Sequence, residues 1–79
     1  MFSRYVDAAM HHATYALLDD GTFFGEVPEL DEVWANAPTL EACRDELKEV
    51  IEGWLMLGIA MHHDIPAIDG ITITVGVPA

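Results

Sequence analysis

The chain has 79 residues, 52% of them hydrophobic, and sets 14 acidic side chains against Arg4, Arg44 and Lys48, for a net charge of −11. That length holds one domain, and that apolar content excludes an intrinsically disordered chain. Three cations cannot neutralise a run of phosphates, so no direct nucleic-acid contact is expected; the imbalance points to a basic protein partner, or merely to solubility.

Phe2–Met10 places Phe2, Tyr5, Val6, Ala9 and Met10 at helical spacing, with Ser3, Arg4 and Asp7 opposite. The spacing predicts a two-turn helix over about residues 2–10. A helix that short is unstable alone and must dock, on a sheet edge or on another subunit. Ala13–Leu18 and Thr22–Val27 are β-rich runs joined by Asp19-Asp20-Gly21, the pattern of a hairpin whose glycine accepts a positive φ. Pro28 has no amide donor and ends the second strand. Glu29–Glu32 reads as a polar connector, and Val33–Ala37 as a third strand.

Thr39–Met61 is the longest signal. Leu40, Cys43, Leu47, Val50, Ile51, Trp54 and Leu55 repeat on one face of an α-helix and fit no strand. Thr39 can cap the helix, and Glu41 faces the positive end of its dipole. About 20 residues make a rod of roughly 30 Å. A rod with one wide apolar stripe needs a flat apolar surface, which in so short a chain is a sheet. After Met61 the run His62-His63-Asp64-Ile65-Pro66 is expected to stop the helix, because the residue preceding a proline avoids helical geometry. Ala67–Gly70 reads as a turn and Ile71–Val75 as a fourth strand.

The expected architecture is α+β, a single domain over residues 1–79. A short N-terminal helix precedes a β-β-β-α-β core over about residues 13–75. The long helix would act as a right-handed crossover, placing the fourth strand beside the first and parallel to it. Cys43 is the only cysteine, so no internal disulfide forms and nothing signals an oxidising compartment. No run of about 18 uncharged apolar residues occurs, so no membrane span is expected. The first residues lack the apolar run of a secretory signal, and the expected location is cytoplasmic.

The residues Phe23-Phe24-Gly25-Glu26-Val27-Pro28-Glu29-Leu30, then Val33–Ala42 with its Thr39-Leu40-Glu41-Ala42, then a long acidic helix followed by Asp64-Ile65-Pro66, resemble the HicB-like antitoxin domain. The resemblance covers roughly residues 14–75 and rests on the order and spacing of short elements. It implies a partial ribonuclease H-like fold, self-association, and neutralisation of a small basic RNA-cleaving toxin of the HicA type. Many members carry a C-terminal DNA-binding segment. This chain ends four residues after Val75, so no such segment, and no operator binding through it, is expected. The second Glu of the family's Thr-Leu-Glu-Glu-Ala is also missing.

Glu41, Asp45, Glu49 and Glu52 share one helix face. They are the candidate docking stripe for a basic toxin, against the plainer reading of a solvated helix back. Such a stripe would steer encounter and weaken in salt. The last helical turns, Trp54 to Met61, are apolar nearly all round. Trp54, Leu57, Gly58 and Met61, with Phe2 and Tyr5 of the first helix, are the candidate interface of a homodimer or larger oligomer; the alternative is that the first helix covers them. Gly58 would let another backbone approach. Phe23 and Phe24 point to opposite faces of their strand, with Trp34 on one of them, and core packing is their expected role.

Metal-dependent ribonuclease H-type chemistry needs carboxylates on the first strand, the helix and the last strand. Ala13–Leu18 and Ile71–Val75 contain none, so no catalytic residue is assigned and no enzyme is expected. The histidines fall in pairs, His11-His12 and His62-His63, which read as polar punctuation at element ends unless the pairs meet in space. No phosphate-binding glycine motif occurs. No metal or cofactor is expected.

Overall fold

A computed structural model describes residues 3–73. Its elements are α1 (Ser3–His11), β1 (Thr14–Leu17), β2 (Phe23–Glu26), β3 (Trp34–Ala37) and α2 (Leu40–Ala60). The three strands form an antiparallel sheet in the order β1-β2-β3. Its register pairs Tyr15 with Gly25 and Gly25 with Ala35, and pairs Leu17 with Phe23 and Phe23 with Ala37. These two rows share one face of the pleat.

The hairpin forms at Asp19-Asp20-Gly21. Gly21 takes φ 85°, and Leu18 and Thr22 close the turn with Leu18 N–H donating to the Thr22 carbonyl at 2.8 Å. The Thr22 amide and hydroxyl both donate to one Asp20 oxygen, at 2.9 and 2.6 Å. The hydroxyl bond is the larger cause, and the two hold the Asp20 carboxyl below its ordinary pKa. Asn36 on β3 donates to the Thr22 hydroxyl oxygen and to the Phe23 carbonyl, tying the turn to the far strand.

Helix α2 lies across the sheet on β2 and β3. Its buried face is Cys43, Leu47, Ile51, Leu55 and Gly58, a narrower stripe than the sequence pattern, since Leu40 is left at the surface. Thr39 caps the helix by accepting from the Ala42 amide at 3.1 Å. The helix ends at Ala60 with Met61 as its cap, where the sequence pattern ends it. It stops where His62 adopts φ 58°, with His62 N–H bonded to the Ile59 carbonyl and His63 N–H to the Gly58 carbonyl. That pair of bonds is a Schellman cap, so within the expected stop His62–Pro66 it is the left-handed His62 that ends α2.

Helix α1 docks on α2, burying Tyr5, Val6, Ala8 and Ala9. The connector Glu29–Glu32 is not polar throughout: Leu30 is buried, as are Val27 and Val33 on either side of it. After α2, the chain folds back over the body. Ile65 lies against Gly58, and Ile68 enters the core. Asp69 and Gly70, at φ 52° and 75°, form a tight turn in which Ile68 and Ile71 exchange backbone bonds of 3.1 and 2.8 Å. Ile71 therefore makes an isolated bridge, and Thr72 and Ile73 join no ladder among the described residues. The remainder of the expected fourth strand, Thr74 and Val75, lies outside the described residues.

Candidate functional site

The expected docking residues Glu41, Asp45, Glu49 and Glu52 are all exposed on α2, and Glu46, which the spacing argument omits, is exposed as well. Glu41 and Asp45 line a groove of about 500 Å³ between the two helices, together with Asp7 and His11 of α1 and Arg44 and Lys48 of α2. The ion pairs among the described residues both belong to His12, so neither Arg44 nor Lys48 closes on a carboxylate there. Two of the three cations of the chain stand beside the upper part of the acidic row, whereas Glu49 and Glu52 lie outside the groove.

The expected oligomer surface divides. Tyr5 is a core residue, 1% exposed, with its hydroxyl turned to the Pro66 carbonyl; the period that put it on the apolar face of α1 holds, but that face meets α2. Gly58 is covered by Ile65 of the same chain and offers no approach to another backbone. Phe2 lies outside the described residues. Leu57 and Met61 are 60% and 56% exposed, with Met56 beside them at 64%. Trp54 is half-buried against the core. Trp54, Leu57 and Gly58 border a cleft of about 250 Å³, which Glu32, His63 and Ile65 complete.

The aromatics of the sheet also divide. Phe23 packs on the core, but Trp34 is 55% exposed. Trp34 stacks on Phe24 with ring centroids 5.9 Å apart, on the sheet face away from α2. Core packing is thus wrong for Trp34, because Ala35 and Ala37 take the inward positions of β3. Small residues there let α2 lie close to the sheet.

Cys43 is fully buried, with its thiol 3.6 Å from the Ala35 carbonyl. Burial, aided by the Glu46 charge, pushes its pKa up, which suits an inert packing thiol. His12 sits between two carboxylates, Glu29 at 2.6 Å from Nδ1 and Asp69 at 2.8 Å from Nε2. The carboxylates stand on opposite ring nitrogens, and no group of three or more His, Cys, Asp or Glu placed to hold one metal ion occurs among the described residues. The His12 cluster was not legible in the sequence, since its members lie 17 and 57 residues apart and share no local pattern.

The sequence matches the UPF0150-like family over residues 4–66. The chain belongs to that family. The crystal structure of TTHA0281 from Thermus thermophilus is similar to it at 30% identity, with a TM-score of 0.89, over 96% of this chain and 95% of that one. No curated protein matches this UPF0150-like chain. The match in fold covers the helix–sheet–helix body described above. No helix among the described residues is long and apolar enough to cross a membrane.

Proposed function

We propose that this UPF0150-like protein is a cytoplasmic HicB-like antitoxin, which binds a small basic RNA-cleaving protein and occludes it. The observation that carries the reading is the outward side of α2: Glu41, Asp45, Glu46, Glu49 and Glu52 are exposed on a chain of net charge −11. A predominantly acidic face accelerates encounter with an oppositely charged partner and disfavours like-charged ones. The exposed Met56, Leu57 and Met61 at the end of the same helix supply apolar area beside the charge, which is the composition of a contact patch with a polar rim. The protein itself catalyses nothing in this reading.

The test is co-expression with the product of an adjacent gene encoding a small basic protein. Growth arrest by that product alone, relief by this chain, and co-purification of the two are expected. Relief should fail for a Glu49→Lys, Glu52→Lys variant that remains folded. An adjacent basic protein that neither binds nor is neutralised would sink the proposal.

The exposed apolar end of α2 favours a second reading, a stand-alone homo-oligomeric module of the same family. Light scattering of the protein purified alone separates them. Self-association without a basic partner, abolished by Leu57→Asp, favours the module.

A further inference from the structure

The chain after α2 is held to the body like a strap, and its fastening is chemically unusual. Tyr5 reaches the Pro66 carbonyl, Ile65 lies on Gly58, and Ile68 is buried. At the turn that follows, Asp69 meets His12, the residue directly after α1. On the opposite side of the same ring stands Glu29 from the β2–β3 loop. One imidazole therefore joins three segments that share no secondary structure.

Both ring nitrogens face carboxylate oxygens, at 2.6 and 2.8 Å. An ionised carboxylate only accepts, and a neutral imidazole has one N–H and one lone pair. Both contacts are satisfied together only when the ring carries two protons. We propose that His12 is a proton-operated latch: as imidazolium it clamps the strap through Asp69 and the β2–β3 loop through Glu29, and on losing one proton to solvent it must release one of them. The titratable groups facing His12 are Glu29 from the loop and Asp69 from the turn; His11 is its titratable neighbour on α1.

The direction of the effect follows from the two contacts. Hydrogen bonds to Asp69 first and Glu29 second, with their charges, raise the His12 pKa above its ordinary value. Its stabilisation is complete below the unfolded value of about 6.5 and is lost as pH rises through the higher folded value. Ile65 of the same strap forms one wall of the cleft beside Trp54 and Leu57.

The full-length chain tests this by nitrogen-detected imidazole NMR and by amide hydrogen exchange. Glu29→Gln and Asp69→Asn are the variants; both are near-isosteric, and asparagine tolerates the left-handed backbone at position 69. The His12 midpoint is expected to fall in each variant. Amide exchange at Ile68 and Ile71, corrected for its intrinsic pH dependence, should speed several-fold as wild-type His12 titrates. That acceleration should vanish in Asp69→Asn. An unchanged His12 midpoint in both variants, or Ile68 and Ile71 protection indifferent to its titration, overturns the latch.

Discussion

The hydroxyl of Tyr5 donates a 2.5 Å hydrogen bond to the carbonyl oxygen of Pro66, 61 residues further along the chain. The contact fastens the first helix to the segment that leaves the second, and the ring beneath it is core. Burial raises the pKa of this phenol, so it stays a donor throughout the working range. Tyr5→Phe should cost about 1 kcal/mol, the typical net worth of one such bond. Urea unfolding would show it as a lower midpoint at constant slope.

Tyr15 provides the contrast. Its hydroxyl is buried without a partner among the described residues, so Tyr15→Phe removes a desolvated group and forfeits no bond. Stability should hold or rise by up to about 1 kcal/mol. A loss equal to that of Tyr5→Phe in the same urea series would contradict this.

The ring of Tyr15 occupies the space left by the missing side chain of its cross-strand neighbour. A Cβ built on Gly25 would stand 2.9 Å from two Tyr15 ring carbons and 3.1 Å from the Cys43 sulfur. Cys43 is fully buried on α2 and Tyr15 is half-buried against the core. Gly25→Ala should therefore destabilise by about 1–3 kcal/mol, the usual consequence of overpacking. Thermal unfolding monitored by circular dichroism is sufficient to read it.

His62 sits where helices favour glycine, at φ 58° past the end of α2. A side chain with a Cβ is strained there, and glycine is not. His62→Gly should stabilise the fold by about 0.5–1 kcal/mol, less whatever the freer unfolded chain takes back. The residue is exposed, so no packing is lost.

Cys43 should behave as a core methylene rather than as a reagent. Its sulfur is inaccessible and its pKa lies above the ordinary thiol value. A thiol-specific dye at neutral pH should label the native protein orders of magnitude more slowly than the urea-unfolded one, because reaction requires both exposure and a thiolate.

Local periodicity carried most of the architecture. The 3.6-residue recurrence from Cys43 to Leu55 defined α2, Asp19-Asp20-Gly21 defined the hairpin, and Thr39 defined the cap, because each is a contact between near neighbours in the chain. The acidic row on α2 was legible for the same reason. What only the tertiary structure decided are meetings between distant residues. Helix α1 turned its stripe onto α2 and took Tyr5 out of any interface; Ile65 closed over Gly58; Ala35 and Ala37 faced inward and left Trp34 in solvent. Ile71–Val75 alternates like a strand, yet among the described residues Ile71 pairs only with Ile68 across the Asp69-Gly70 turn, a pairing that the alternation could not reveal. Glu29, His12 and Asp69 have no common spacing at all, and their union depends on three segments arriving at one point. Sequence pattern reports which face of an element is apolar; the partner that covers that face is settled by the global packing, where burial is shared among elements far apart in the chain.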